Sequence, residues 1–140
     1  MNWLAWALLS ALFAALTAIL AKIGVADVNP NLATAIRTSV ILVLTWALAL
    51  ATSSRADWTA LTGRAWIFLA ASGLMTGLSW LCYFRALKLG DVAKVAPVDK
   101  LSVAIAVILA VVLLGEKVKP QEALGTALIV LGVVVMVIRL

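Results

Sequence analysis

The chain has 140 residues, of which 66% are apolar and 12% are charged, and its formal net charge at pH 7 is +5. A soluble domain is about half apolar and about a quarter charged, and a chain this short has too little interior to bury the excess apolar surface. The composition therefore excludes an ordinary soluble enzyme and indicates an integral membrane protein. The chain has no histidine and only Cys82 as a cysteine, which excludes an internal disulfide, a zinc site and a Cys–His pair.

The positive net charge does not indicate a nucleic-acid partner. The basic residues are scattered among apolar blocks instead of forming a patch, so we interpret them as loop charges that anchor helices at the lipid headgroups. The sequence contains no nucleophile–base pair, no phosphate-binding glycine loop and no metal-ligand spacing. We therefore expect no enzyme activity, no metal and no cofactor.

Apolar blocks with few charges follow one another along the whole chain, and crossing a bilayer takes roughly 20 helical residues. With flanking residues included, the sequence predicts an all-α membrane protein with five transmembrane helices at 3–23, 32–52, 65–88, 92–114 and 121–139. The first block lacks a basic region before its long apolar run, so we interpret it as a retained span and not as a signal peptide. No connection is long enough to fold separately, which predicts a single domain over 1–140.

Turn and capping residues agree with these boundaries. The sequence predicts a turn at Asn29-Pro30-Asn31, a polar break over 52–57, a helix cap at Gly90-Asp91, a helix end at Gly115 and a helix start at Pro120 with Glu122.

An odd number of spans places the two termini on opposite sides of the membrane. The side that bears the N-terminus carries four basic residues, Arg55, Arg64, Lys117 and Lys119. The other side carries five, which are Lys22, Arg85, Lys88, Lys94 and Arg139. Two further basic residues, Arg37 and Lys100, lie deeper in helices and bring this count to seven. This bias is weak for the positive-inside rule. Two interpretations are open: the protein inserts in both orientations, or it has one orientation that the count does not resolve.

Asp99 and Lys100 belong to the fourth predicted helix, because a helix that began only at Leu101 would be too short to cross. From a start at Val92, Lys100 lies roughly 12 Å along the helix axis. Pro97 frees a backbone carbonyl at this depth and favours a bend, as in the interrupted helices that line transporter cavities. Two interpretations are open: the pair faces a polar pathway as substrate or proton partners, or Lys100 extends to the headgroups and Asp99 neutralises it or binds another nearby cation.

Four further side chains are candidates with competing interpretations. For Arg37, extension of the guanidinium to the headgroups is favoured over a place in the substrate pathway. For Glu116, a loop charge at the membrane surface is favoured over a coupling role. Trp80 and Tyr83, near one end of the third helix, form either the wall of a binding cavity or dimer contact, or part of an interfacial aromatic belt.

Small residues mark faces on which helices can approach one another closely. Gly73 and Gly77 form a G-x-x-x-G pattern in the third helix, and Gly125 and Gly132 form a similar seam in the fifth. These four glycines are predicted to support helix packing.

Three blocks of sequence, in this order and at these spacings, carry a family resemblance. The first is YFRALKLGD at 83–91, followed by VAPVDKLS at 95–102. The second is LLGEK at 113–117, and the third is P-x-x-x-x-G-x-x-L-I-x-x-G at 120–132. Together they resemble the EamA family of the drug/metabolite transporter superfamily, and the resemblance extends over essentially the whole chain.

The resemblance implies secondary transport of small metabolites, often export of amino acids or similar compounds, through a cavity between two halves. Most members have ten helices in two homologous halves of opposite orientation, and this chain resembles one half, as in the five-helix bacterial and archaeal group. Position by position, the resemblance points to Trp80, Tyr83, Pro97, Asp99 and Lys100 as residues of the cavity.

The leading hypothesis is a multi-pass transporter of the inner membrane that works by alternating access as an antiparallel homodimer in the lipid bilayer, with a small-molecule substrate. Asp99 and Glu116 are its candidates for coupling. The alternatives are a small multidrug exporter, a non-transporting membrane scaffold or regulatory subunit, and a channel. A multidrug exporter usually relies on a deep carboxylate; Asp99 is available, but the adjacent Lys100 disfavours cationic drugs.

Overall fold

The computed structural model describes residues 2–138, and every regular element in that range is helical. In chain order the helices are α1 (Trp3–Val25), α2 (Pro30–Thr52), α3 (Arg55–Thr59), α4 (Gly63–Leu89), α5 (Val92–Asp99), α6 (Leu101–Leu114) and α7 (Pro120–Val137). The prediction of an all-α protein is confirmed.

The chain divides into two compact units. One comprises Met1–Ala18 and Gly90–Leu140, and in it α5 packs against α6 and α7, and α6 packs against α7. The other comprises Ile19–Leu89, and in it α2 packs against α4. The single domain over 1–140 stays a prediction.

Most apolar side chains lie on the outside of the helices. Between residues 2 and 138, five helical stretches are long and apolar enough to cross a bilayer: α1, α2, α4, the α5–α6 stretch Val92–Leu114, and α7. Only 6% of each stretch is buried within the protein. Since water is a poor solvent for such surfaces and lipid is a good one, the protein is an integral membrane protein.

The helix ends follow from local chemistry. Helix α2 begins at Pro30, two residues before the predicted start, because proline suits the first helical position and the Asn29 side chain accepts a hydrogen bond from the Asn31 N–H at 2.9 Å. Helix α7 begins at Pro120, and the Glu122 carboxylate accepts a hydrogen bond from the Lys119 N–H at 2.8 Å. The predicted end of the fifth helix at 139 lies outside the described residues.

Helix α3 was not predicted, since the polar run at 52–57 had been interpreted only as a break. Ser54 and Asp57 form a capping box that starts this short helix. The Ser54 N–H and hydroxyl donate to the Asp57 carboxylate. These hydrogen bonds favour the charged form and so lower the pKa of Asp57. Trp58 stacks on Trp46 of α2, with ring centroids 5.9 Å apart and ring planes 9° apart. The S-x-x-D spacing was the signal in the sequence that a helix starts here.

The fourth predicted helix, 92–114, consists of two helices. Helix α5 ends at Asp99 and α6 begins at Leu101, with Lys100 in a turn between them. Pro97 lies inside α5 and has no N–H to donate to the carbonyl one turn earlier. The bond that is lost lies on the N-terminal side of the proline, and the interruption at Lys100 lies three residues after it.

Two lysines tie together the end of the unit formed by residues 19–89. The Lys22 ammonium, in the last turn of α1, donates to the Leu87 carbonyl at 2.7 Å. The Lys88 ammonium, in the last turn of α4, donates to the Val28 carbonyl at 2.8 Å. The Leu87 carbonyl is one of the four at the end of α4 that have no partner within the helix, and a cation there also suits the helix dipole. The side chains of Val25 and Leu87 are fully buried beside these bonds.

We expect Lys22→Met to destabilise this end of the protein. Methionine keeps the length of the side chain but leaves the Leu87 carbonyl without its charged donor, which should lower the free energy of unfolding by about 1.5–3 kcal/mol. Unfolding of the purified protein by SDS, followed by tryptophan fluorescence, measures the change.

Lys94→Met is the matched control for this substitution. Lys94 makes only a 3.9 Å ion pair with Asp91, and the two side chains are 56% and 78% exposed. Such pairs contribute less than about 1 kcal/mol. Equal destabilisation by the two substitutions would contradict a specific role for the Lys22–Leu87 bond.

Candidate functional site

The candidate residues fall into two groups, one in each compact unit. Arg37, Trp80 and Tyr83 lie in the unit of residues 19–89, at the contact between α2 and α4. Pro97, Asp99 and Lys100 lie in the other unit, at the junction of α5 and α6.

Arg37 points across to the aromatic face of α4. Its guanidinium carbon lies 4.3 Å from the centroid of the Trp80 ring and 5.5 Å from that of the Phe84 ring, within the range of a cation–π interaction. Phe84 is buried and holds this cluster against the core of the unit. In this structure the Arg37 guanidinium contacts aromatic rings of the neighbouring helix; its extension to the headgroups and its place in a substrate pathway both stay predictions.

A groove lies between α2 and α4 in the same unit, with a volume of about 380 Å³. Its polar lining comes from α2 and consists of Asn31, Thr34, Thr38 and Ser39. Gly77 and Leu81 contribute the α4 side of the groove. They lie on the same face of α4 as Trp80 and Phe84, because residues 77, 80, 81 and 84 are separated by three, one and three positions. The groove and the Arg37 cluster are thus parts of one helix contact.

The sequence analysis missed this row of hydroxyl groups. Thr34 and Thr38 are four residues apart, and Ser39 is adjacent, so all lie on or beside one face of α2. Polar residues recurring at helical spacing inside an apolar span were the available signal. Serine and threonine are tolerated in membrane helices without a function, which is why the signal alone does not identify a site.

The α5–α6 junction holds an ion pair between neighbouring residues. The Lys100 ammonium donates to the Asp99 carboxylate at 3.2 Å, and the side chains of Lys100 and Asp99 are 55% and 37% exposed. The Lys100 N–H bonds the Pro97 carbonyl at 2.9 Å, and the Val103 N–H bonds the Lys100 carbonyl at 3.0 Å. These tighter i→i−3 bonds replace the usual helical pattern at the interruption. The span therefore carries a charged pair at the point where its helix is interrupted.

Glu116 lies just after a closed helix end. Gly115 adopts φ +68°, where a side chain would be strained, and its N–H bonds the Val111 carbonyl while the Glu116 N–H bonds the Ala110 carbonyl. A left-handed glycine whose N–H bonds the carbonyl four residues earlier is the αL type of helix C-cap, so the glycine in this block terminates α6. The Glu116 side chain is exposed and makes no hydrogen bond or ion pair with any residue between 2 and 138.

The four predicted packing glycines face open space. A Cβ atom built at Gly73, Gly77, Gly125 or Gly132 would meet no atom of the described chain within 4 Å, apart from its own helix. Close helix packing at these positions stays a prediction.

The grooves of the other unit are chemically different. The one between α6 and α7 has a volume of about 440 Å³ and is lined by valine, alanine and isoleucine, with Thr126 as its polar residue. The Thr126 hydroxyl donates to the Glu122 carbonyl at 2.9 Å. This surface is almost wholly apolar, whereas the α2–α4 groove has an amide and three hydroxyl groups along its α2 side.

Comparison with known proteins gives the family. The model of the EamA-like transporter family matches residues 1–138. The chain belongs to the EamA-like transporter family. It is also similar to a protein from a Sinorhizobium species named as an uncharacterized transporter in the cobO 3′ region, with 53% identity over 137 residues, covering 98% of this chain and 97% of that protein. No solved structure gives a significant match. With its five apolar helical stretches, the protein is a membrane transporter.

We expect Pro97→Ala to make this transporter's fourth span more continuous. Alanine restores the missing N–H and removes the clash of the proline ring with the preceding turn, an effect of about 3 kcal/mol in a helix interior. Amides of residues 98–101 should then exchange with deuterium at least roughly tenfold more slowly, as measured by mass spectrometry of the protein in nanodiscs.

Pro120→Ala is the control, because Pro120 occupies the first position of α7, where its missing N–H frees no helical carbonyl. Exchange over 121–125 should stay within about threefold of the parent protein. Unchanged exchange over 98–101 in Pro97→Ala would show that the interruption has another cause.

Proposed function

We propose that this protein is a secondary transporter of small metabolites, of an amino-acid-like kind, in the cytoplasmic (inner) membrane. Two copies associate as an antiparallel homodimer, and alternating access exposes a binding site to each side in turn. The observation that carries the proposal is the number of spans. This chain belongs to a transporter family and has five apolar helical stretches, which is half the number in the ten-helix inverted-repeat arrangement that the resemblance implies.

The distribution of charge supports antiparallel assembly. With five spans, the basic residues of the sequence divide into four on the side of the N-terminus and five on the other, with Arg37 and Lys100 inside spans. The first four are Arg55, Arg64, Lys117 and Lys119, and the five are Lys22, Arg85, Lys88, Lys94 and Arg139. A chain without a strong charge bias has little preference for one orientation.

The open glycine faces support a contact between chains. Gly73 lies on a face of α4, and Gly125 and Gly132 on α7, where an added Cβ would meet nothing in the described residues beyond its own helix, so another helix can approach closely there. In an antiparallel dimer, these faces are available on both copies.

Asp99 and Lys100 are proposed to take part in the transport cycle. They form a partly exposed ion pair at the interruption of a span, and such a pair can exchange its internal partner for a solute or a proton. Pro97 lies in the turn before this interruption and is proposed to favour movement of the two helical segments. In the unit of residues 19–89, Trp80, Tyr83 and Arg37 are proposed separately as residues that contact the solute. Glu116 is proposed only as a second coupling residue near the membrane surface.

The topology of the termini tests the antiparallel arrangement. Single cysteines placed beside Met1 and beside Leu140, in a chain in which Cys82 is replaced by alanine, are labelled in sealed membrane vesicles with an impermeant maleimide. We expect each terminus to be labelled from both sides, in about equal amounts, because the charge bias is near zero. Labelling of each terminus from one side only would contradict the homodimer in this form.

Flux measurements test the charged pair. Asp99→Asn and Lys100→Gln should each lower substrate counterflow in proteoliposomes at least about tenfold, because each leaves the other charge unpaired inside the span. Asp91→Asn and Lys94→Gln are matched controls, since this pair is exposed and 3.9 Å apart. Full flux in both Asp99→Asn and Lys100→Gln would remove the pair from the mechanism.

A further inference from the structure

The groove between α6 and α7 opens beside a charged loop. Its walls are aliphatic side chains of the two helices, and the loop over 115–119 that joins them contributes Val118 to the lining. Thr126 is the polar residue of the lining, and its hydroxyl already donates to the Glu122 carbonyl at 2.9 Å. Because a polar group in such a groove would lose its hydrogen bonds to water, the part of an occupant that lies there must be apolar.

The groove extends through about one leaflet of the bilayer. On the α6 side its lining begins at Ala104, and α6 ends at Leu114 beside the loop. These two residues are about 15 Å apart along the helix axis, which is half of a hydrocarbon core about 30 Å thick. A second groove, between the α5–α6 junction and the end of α7, has a separate lining. One acyl chain matches this length, whereas a transmembrane helix of a second copy would need a groove along the whole span.

The loop turns its valine toward the groove and its lysines away from it. Val118 is half-buried, whereas Lys117 and Lys119 on either side of it are exposed. Lys119 has extended backbone angles, φ −74° and ψ 152°. Since alternate residues of an extended segment point to the same side, both ammonium groups lie on the side of the loop opposite Val118. The loop joins two spans, so these groups are at the level of the lipid headgroups.

The charged side chains of this loop are available to a ligand that carries both signs of charge. Between residues 2 and 138, the side chains of Glu116 and Lys117 make no hydrogen bond or ion pair, and the Lys119 ammonium makes no ion pair. The Glu122 carboxylate differs, because it accepts a hydrogen bond from the Lys119 N–H at 2.8 Å. The four charges sum to zero, so the loop has no net attraction for an anionic surface. A headgroup with a phosphate and an ammonium complements it better.

We propose that the α6–α7 groove and the loop over 115–119 bind one phospholipid with a phosphoethanolamine headgroup. One acyl chain occupies the groove, Lys117 and Lys119 bind the phosphate, and the Glu116 carboxylate accepts a hydrogen bond from the primary ammonium. Phosphatidylcholine has no N–H to donate and phosphatidylglycerol has no ammonium, so both lack this last bond. The inference goes beyond the proposed transport function and is independent of it, because it concerns lipid binding and gives Glu116 a ligand at the membrane surface.

Native mass spectrometry of the purified protein in detergent tests the lipid class. The delipidated protein is titrated with phosphatidylethanolamine, phosphatidylcholine or phosphatidylglycerol of identical acyl chains, and the Kd of the first bound lipid is measured. Because phosphatidylethanolamine alone makes the hydrogen bond to Glu116, we expect its Kd to be about tenfold lower than that of the other two lipids. Equal Kd values for the three lipids, or tighter binding of either of the others, overturn the proposal.

Variants of the loop separate the two ends of the headgroup. Glu116→Gln should raise the Kd of phosphatidylethanolamine about tenfold and should not weaken the binding of phosphatidylglycerol. Lys117→Gln should raise the Kd of all three lipids about threefold to tenfold, because all three carry the phosphate. Lys94→Gln is the matched control, since Lys94 is exposed, pairs with Asp91 at 3.9 Å and does not line the groove. A preference for phosphatidylethanolamine that survives Glu116→Gln contradicts the site.

A variant of α7 tests the groove itself. Ala127 lines the groove and is exposed, so Ala127→Phe fills it without displacing a buried side chain, and the Kd of phosphatidylethanolamine should rise at least about tenfold. Ala106→Phe is the matched control, because Ala106 is an exposed alanine of α6 outside the lining. The loop variants, which leave every helix intact, keep the test valid if Ala127→Phe does not fold.

The same spectra report the oligomeric mass and so distinguish the lipid from a second copy of the chain. We expect Ala127→Phe to change lipid binding and not the oligomeric mass. An unchanged Kd in this variant contradicts the groove as a lipid site. An unchanged Kd together with a loss of dimer would show that the groove binds a second copy instead.

Discussion

The hydrocarbon of a bilayer offers no hydrogen-bonding partner, and this constraint determines how every polar group in the protein is arranged. Backbone groups must be satisfied within the span, which leaves helices as the structure for a chain of this composition. Charged side chains must reach the surface, find a partner or face a polar space. In the unit of residues 19–89, Lys22 and Lys88 each donate to a backbone carbonyl at a helix end or in the adjoining loop. Hydroxyl groups in α2 likewise donate to carbonyls one turn earlier.

The exceptions to this arrangement are the candidate functional groups. Arg37 has rings against it but no hydrogen-bond acceptor among the described residues. At Lys100, a span is interrupted and an ion pair is left partly exposed. A protein selected for stability alone would replace these groups by apolar ones, because a buried charge adds little net stability. A transporter needs polar groups at membrane depth to replace the hydration of its substrate, which gives both exceptions a physical reason in a member of this family.

Several features of the fold follow from local chemistry, and the sequence was sufficient to predict them. Gly115 ends α6 because a left-handed conformation favours glycine, and Pro120 begins α7 because its missing N–H has no role in the first turn. The effect of Pro97 on the fourth span is equally local. The start of α3 was missed although its capping box is also local, since the same residues are typical of a loop. These features depend on residues within one or two helical turns.

Composition and hydropathy thus determined that the chain crosses a membrane, how many times and at which residues, because lipid selects long apolar helices whatever their neighbours are. The family blocks added the transporter class. Only the tertiary structure decided that Lys22 reaches Leu87, that Arg37 lies over Trp80, and that the α2 hydroxyl row faces Gly77. The partners in these contacts are separated by tens of residues along the chain. Which of two polar side chains meet depends on the rotation and depth of each helix, and these are set by packing between helices and not by the sequence of either one alone.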